Sequence, residues 1–399
     1  MKIIVYVGID VHKATFSACC YLPSTQSYFA EDTFQGETGK VLDYLEMVKN
    51  SLENEPEFHC GYEAGCRGYS LAKDLLNKGI DCVVMAPTTI DKPSDNCKKK
   101  TDRLDARLLA RTLCNGSYKK VHIPDNQDLM VKEHIRMLQF HKKCLREMKQ
   151  AVCSLLLRYG KVYDSGKSYW TQKHVSWING MYSDPVFGRT LEEYMDTIRK
   201  YMDKISRIEN EILEIATNER YSSTINRICC LKGIDRISAL TFLCEIGDFS
   251  RFESTKVFPA YLGLVPGDHS SGGKPSKLGI TKLGNSTLRR LAVECTRTAV
   301  RGIPGSKSKK LSERQEGCDI KTIAYADRGT ERMQRRYIHL VSSGKNVNEA
   351  VTACAREYVS FIWGLATMKY DNLLTNLINN KKVLSKGRMY VGLSGMGSF

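Results

Sequence analysis

No run of about 18 consecutive apolar residues occurs in the 399-residue chain, which argues against a membrane-spanning helix. A secretory-signal pattern is also missing from the N-terminus, so a soluble, cytoplasmic chain with no membrane partner is expected. None of the 15 cysteines forms a Cys-x-x-Cys pair, and the doublets at Cys19 and Cys229 lack metal-ligand spacing. Reduced thiols are therefore expected in place of disulfides or zinc. His134 and His141 lie seven apart on an expected helix with no cysteine pair nearby, and no histidine triad accompanies any serine. Acids are in deficit: 44 Asp+Glu face 60 Lys+Arg, giving a formal net charge of +16 and a pI near 9.1. Such a balance favours polyanions through counterion release. The excess is uneven, because Ser271 to Lys310 holds ten Lys or Arg against the single acid Glu294. A uniformly solubilising charge would not cluster in this way.

Against that deficit, four carboxylates occupy informative positions. Asp10 follows the β-branched run Ile3 to Val7 and Gly8, which reads as a buried strand with the acid just past its end. Glu63 closes a second such run, Phe58 to Tyr62. Asp102 and Asp105 are three apart at the start of a helix-forming stretch, so both can lie on one helix face. Carboxylate oxygens are the hard ligands that Mg²⁺ takes, and four acids suffice for two ions, with Mn²⁺ as a substitute. A plainer reading makes Asp102 the N-cap of that helix and Asp105 a partner of its dipole. Strands at Ser17 to Tyr21, Ser27 to Phe34 and Asp81 to Ala86, with helices at Lys40 to Leu52 and Tyr69 to Asn77, complete the order three strands, helix, strand, helix, strand, helix. That is the order of the ribonuclease H fold, which gathers acids from its first and fourth strands and a late helix. His12, beside Asp10, reads as a solvent- or phosphate-facing residue rather than a base.

The remainder reads as mostly helical. Pro124 to Gln127 closes the first unit, and Asp128 to Tyr159 runs as one long helix. After a loop at Gly160 to Asp184, a second helix carries Leu191, Met195, Ile198, Met202, Ile205, Ile208, Ile212 and Ile215 at steps of four and three. This is a coiled-coil seam with a stammer, open either to packing of the two helices on each other or to self-association. Ile228 to Asp248 resembles a helix-hairpin-helix whose turn, Lys232-Gly233-Ile234, offers amides to a phosphate. Arg251 to Leu264 is expected to be largely helical. Gly267 to Gly284 is expected to be a flexible loop, its glycines allowing close approach to phosphate and Lys274, Lys277 and Lys282 supplying charge. Thr287 to Ala299 is a helix whose Arg289 and Arg290 suit phosphate contacts, although such a pair is equally a solvated face. Ser306 to Thr330 reads as a basic loop, Arg332 to Val341 and Val347 to Trp363 as two closing helices, and Lys381 to Phe399 as a frayed tail.

The segments GIDVHK, YEAGCRGY and KTDRLDARLLA, followed by YLGLVPGDHSSGGKPSKLGITKLGNSTLRR, resemble the insertion sequence 110 family of transposases, the bridge-RNA-guided recombinases, over most of the chain to about Tyr370. The resemblance implies a RuvC-like metal domain at 1–125, a coiled-coil connector at 126–222, a C-terminal domain with a catalytic serine at 223–375 and a tail at 376–399. It assigns the metal site to Asp10, Glu63, Asp102 and Asp105 and the nucleophile to Ser271, with neighbouring Ser270 as the fallback. It further implies double-stranded DNA at element ends and target, a guide RNA, a prokaryotic nucleoid setting and a homo-oligomer, dimer or tetramer. A serine hydroxyl needs a base or a metal to attack at neutral pH, so the acids and Ser271 are expected to form one composite centre and a covalent phosphoserine link to DNA. The alternative is a structure-specific nuclease that hydrolyses with water and uses its C-terminal half only to bind DNA. A purely RNA-binding scaffold is disfavoured, because four aligned carboxylates would repel phosphate without cations.

Overall fold

Along the first strand, Val5, Val7 and Ile9 alternate with Tyr6, Gly8 and Asp10, and a period of two sends the two sets to opposite faces. The computed structural model, which describes residues 2–90, 101–164, 168–182, 185–271 and 274–370, builds this strand into a mixed sheet. The elements are β1 (Ile3–Val11), β2 (Thr15–Leu22), β3 (Ser27–Gln35), α1 (Thr38–Ser51), β4 (Pro56–Glu63), α2 (Ser70–Asn77), β5 (Asp81–Met85) and α3 (Asp102–Asn115). The strand order is β3-β2-β1-β4-β5, with β1, β4 and β5 parallel and β2 antiparallel to both of its neighbours. Asp10 lies inside β1, opposite Ser17, and not beyond the strand end as its flanking glycine implied.

The two faces of the sheet are covered differently. Val5, Val7, Ile9, Cys60 and Val84 pack beneath Val41, Leu45 and Val48 of α1 and Leu71 and Leu75 of α2. The other face carries α3, whose Leu109 and Leu113 pack with Val83 and Met85. Here the chain needs glycine. A Cβ on Gly8 would lie 2.2 Å from the carbonyl oxygen of Ala106 and 2.2 Å from the nitrogen of Ala110, both backbone atoms of α3. Gly61, paired with Gly8 across β1 and β4, would bring a Cβ 3.1 Å from Met85 and 3.2 Å from Leu113. Helix α3 therefore rests almost backbone to backbone in a trough of two glycines, with alanines as its own contact residues. The described cysteines are all free, and burial pushes the Cys19 and Cys82 thiols up to about 12, so both are inert at neutral pH.

The chain divides into two compact units, Met1–Pro124 and Asp125–Phe399. The second contains α4 (Asn126–Arg158), α5 (Gln172–Asn179), α6 (Phe187–Ala216), α7 (Glu219–Cys229), α8 (Arg236–Ile246), α9 (Val257–Tyr261), β6 (Pro266–Ser271), β7 (Lys274–Ile280), α10 (Ser286–Ala299), α11 (Lys309–Gln315), α12 (Ile320–Ser342) and α13 (Val347–Thr367). Helices α4 and α6 pack on each other antiparallel: Val152 and Leu155 meet Leu191 and Met195 at one end, while Val131 and Ile135 share a cluster with Ile208 and Ile212 at the other. Of the expected seam, Leu191, Met195, Ile198, Ile205, Ile208 and Ile212 are buried within the chain itself, and Met202 is 50% exposed.

Three local expectations differ from the structure. Arg251 to Leu264 holds only the five-residue α9, because aromatic packing of Phe249 and Phe252 on Phe258, and of Tyr261 on Phe252, organises it in place of helical periodicity. Gly267 to Gly284 is not a loop throughout but the hairpin β6–β7. The basic segment from Ser306 is helical in its middle, capped by Ser308, and resumes as α12 under Asp319. Buried Gln315 ties it down by donating to the Cys230 carbonyl at 3.0 Å and to Asp327 at 2.9 Å. The tail expected to fray lies outside the described residues.

Replacing Gly8 by alanine forces α3 off the sheet. We expect a loss of about 1–3 kcal/mol. Gly39→Ala, in α1 where a Cβ meets nothing within 4 Å, is expected to leave stability unchanged or slightly higher. Denaturant unfolding of the two variants checks the contrast.

Candidate active site

The parity that puts Gly8 under α3 also decides where the acids point. Asp10 is two residues beyond Gly8 and Glu63 two beyond Gly61, so both carboxylates rise on the α3 face at the carboxyl ends of parallel strands. Thr101, not Asp102, is the N-cap of α3: its hydroxyl accepts from the Leu104 N–H at 3.4 Å. That leaves Asp102 and Asp105 in the first turn, one turn before the alanines that touch Gly8. The result is a cleft of about 230 Å³ lined by Asp10, His12, Glu63 and Asp105. Ligand atoms of Asp10, His12 and Asp102 lie within 4.8 Å of one another. All four carboxylates expected from the sequence thus converge, and His12 joins them.

The centre is electrostatically uncomfortable as it stands. Burial raises the Asp10 carboxyl above its ordinary range, opposed by His12 and reinforced by the charges of Asp105 and Asp102. Its buried Oδ2 lacks a well-aligned hydrogen bond, with the imidazole Nε2 of His12 3.1 Å away. A buried carboxylate oxygen without a well-aligned donor, beside three other acids, suits a hard divalent cation.

Helix α3 is anchored on its other side by a group that the sequence reading overlooked. Glu31 of β3, its side chain only 8% exposed, pairs with both Arg103 and Arg107. Arg107 also lies over the Tyr28 ring, 5.4 Å from its centroid. These arginines are four apart, so one face of the turn is tied to β3 while Asp102 and Asp105 remain at the cleft. The legible signals were the i, i+4 arginines and the glycine two residues before each strand acid.

In the second unit the expected serine motif forms a hairpin with a fixed base. A Cβ on Gly263 would lie 2.0 Å from the Leu283 carbonyl oxygen, and one on Gly284 would lie 1.9 Å from that of Tyr261. Both glycines also have positive φ, +66° and +87°. Thr281 N–H donates to Val265 O at 2.9 Å and Lys282 N–H to Gly263 O at 3.2 Å, closing the base. Ser271 is the last residue of β6, in register with Lys274 at the far end; Ser270 pairs with Pro275 and Asp268 with Lys277.

The expected nucleic-acid contacts fare unevenly. Lys282 and Arg290 are exposed. Arg289 instead donates to the Leu262 carbonyl at 3.1 Å and also reaches that of Leu283, stapling the hairpin base to α10. Lys232 donates its ammonium to the Arg301 carbonyl and its N–H to Thr330 Oγ1 at 3.4 Å, while its own carbonyl accepts from Tyr358 at 2.7 Å. Gly233, at φ +96°, would bring a Cβ 2.3 Å from the Cys295 carbonyl oxygen. The α7–α8 turn is thus packed into the helical core, and those two Lys232 donors are in use within the fold, as is the Arg289 guanidinium.

Residues 7–160, which hold the four carboxylates, match a family model described as Transposase, of the DEDD type related to IS110. Residues 225–311, which hold the hairpin, match one described as Transposase IS116/IS110/IS902 family. A putative transposase, y4qE, of Sinorhizobium fredii is 34% identical over 365 residues, 90% of this chain and 88% of its own length. The transposase for insertion sequence element IS1533 of Leptospira borgpetersenii is 26% identical, over 87% of this chain and 99% of its own. A pilin gene-inverting protein of Moraxella lacunata is 23% identical over 71% of this chain and 79% of its own. Together these matches define a DNA-recombining enzyme of the transposase class. The chain belongs to the IS110 family of transposases.

Because its pKa is raised, ionised Asp10 weakens the fold at every pH above that raised value, and the penalty fades as the pH falls through it. Asp10→Asn is therefore expected to melt higher than the parent in EDTA at neutral pH and to lose stabilisation by added divalent cations. Paired thermal melts with and without the ion read both effects.

Proposed function

We propose that the first unit is a ribonuclease H-like, RuvC-like metal domain in which Asp10, Glu63, Asp102 and Asp105 hold two Mg²⁺ ions, or Mn²⁺ in their place. The reading rests chiefly on acids from β1, β4 and α3 meeting at one cleft on the sheet's carboxyl edge. Bound divalent ions would neutralise the scissile phosphate and favour ionisation of the attacking hydroxyl.

Ser271 is the nucleophile of this reading. Its Oγ attacks phosphorus, a new Oγ–P ester forms and the P–O bond to one deoxyribose oxygen breaks. The Oγ proton passes to water or a carboxylate, and the departing oxygen takes a proton from water. The product is a strand joined to Ser271 by a phosphodiester, which a second hydroxyl can attack in reverse to rejoin DNA. The hairpin supports this assignment, since its glycine-pinched base holds a serine at the distal end of β6. Double-stranded element ends and target DNA are the substrates, with Lys274, Lys277, Lys282 and Arg290 on phosphate. A guide RNA selects sequence, so the protein reads backbone and shape, and the active species is a cytoplasmic homo-oligomer in which acids and serine meet across subunits.

Ser271→Ala is expected to lower formation of the covalent protein–DNA adduct by at least about 1,000-fold while binding persists. Strand cleavage that continues undiminished would instead identify a resolvase-type nuclease using water. Mixing Ser271→Ala with Asp102→Ala protein is expected to restore adduct formation, and a mixture as inactive as its components would place both halves of the centre in one chain.

A further inference from the structure

We propose that His12 is a fifth ligand of the acidic centre, coordinating one divalent ion through Nε2 and biasing that position toward Mn²⁺ over Mg²⁺. The inference rests on the four-carboxylate metal reading above and adds a nitrogen donor to it.

The geometry begins in β1. His12 comes directly after Val11, the last residue of β1, and lines the same cleft as Asp10. Its backbone N–H donates to the Thr15 carbonyl at 3.1 Å, fixing the chain where β1 turns into β2. From there Nε2 lies 3.1 Å from Asp10 Oδ2 and 3.5 Å from Asp102 Oδ1. Donors held about 2.1 Å from an octahedral ion lie about 3.0 Å apart when they subtend a right angle, so these spacings suit neighbouring vertices of one coordination sphere. His12 is the neighbour of Asp10 Oδ2 at 3.1 Å, so a cation entering between them would meet an oxygen and a nitrogen donor together. The imidazole is 50% exposed, so solvent can reach Nδ1 and accept its proton, the usual outer partner of a ligating histidine.

An imidazole between two carboxylates can also act as a simple counter-charge. The two roles differ in what a bound ion sees. A ligand places nitrogen directly on the metal, whereas a counter-charge is displaced by it. Imidazole nitrogen is a softer donor than carboxylate oxygen and adds more affinity for Mn²⁺ than for Mg²⁺, in line with their order of stability.

The test uses Mn²⁺ bound to the full chain, read by electron spin-echo envelope modulation for directly coordinated ¹⁴N, with Mn²⁺ and Mg²⁺ affinities from titration and competition. We expect a nitrogen coupling in the parent that disappears in His12→Gln, with Mn²⁺ binding weakened about tenfold and Mg²⁺ binding changed far less. His12→Asn is expected to behave likewise, and thermal melts of both variants check that the fold persists. Mn²⁺ bound without nitrogen coupling in the parent, or coupling that survives in His12→Gln, overturns the proposal while leaving the carboxylate site standing. Mn²⁺ affinity unchanged in Asp10→Asn overturns the carboxylate site itself.

Discussion

The seating of α3 in the trough formed by Gly8 and Gly61 is the constraint on which the first unit depends. Ordinary side chains would hold a helix away from a sheet by their own bulk; here the helix backbone comes within van der Waals reach of the strand backbone. That closeness does chemical work. Asp102 and Asp105 sit one turn before the contact alanines, and Asp10 and Glu63 sit two residues past the glycines, so a close approach at the centre of the sheet becomes convergence of acids at its edge. Glu31, gripping Arg103 and Arg107, prevents α3 from rolling about that contact. A rigid scaffold behind the ligands matters because ligand atoms displaced by a few tenths of an ångström lose much of an ion's affinity.

The second unit solves an analogous problem with the same residue type. Gly263 and Gly284 let two chain segments cross at carbonyl contact, and Arg289 binds carbonyls on both sides of the crossing. A hairpin would otherwise pivot on its flanking loops. Here its base belongs to the helical core, so the position of Ser271 along β6 is set by register with β7. The polar groups at the α7–α8 turn serve the same end. Thr330, Tyr358 and Arg301 satisfy Lys232, and Gln315 brings α11 onto the Cys230 carbonyl.

Much of the first unit was legible in the sequence because its signals are local. Alternation of β-branched residues marks strands, and the spacing of Asp102 and Asp105 marks one helix face. What was not legible depends on pairs distant in sequence. Gly8 was read as a strand boundary because nothing near it in sequence shows that Ala106 and Ala110 lie above it. His12 was assigned to solvent or phosphate because its partner Asp102 is ninety residues away. Arg289 was counted as a phosphate contact on its charge and Lys232 on its place in a helix-hairpin-helix-like turn, and neither signal reveals a carbonyl within the fold that the side chain satisfies. The α4–α6 seam shows the same limit in reverse. Its heptad steps were correctly apolar, yet only the antiparallel return of α6 along α4 shows that the burial is achieved inside the chain. Self-association, where it occurs, must therefore draw on other surface than the six buried seam residues.

The sign of the charge distribution connects the two units. A formal charge of +16 favours nucleic acid in general, but a cleft lined by Asp10, Glu63 and Asp105, with Asp102 close by, repels phosphate at short range. Salt limits the reach of the general attraction to about 8 Å, so it cannot cancel that local barrier. Cations held at the proposed centre would remove the barrier and turn it into a binding determinant. Thermodynamic reciprocity then requires that phosphate bound at the proposed centre tighten ion binding by the same factor by which the ions tighten phosphate. Burial is the chief cause of the raised Asp10 carboxyl, with the charges of Asp105 and Asp102 adding to it, and a bound cation is the partner that would relieve both.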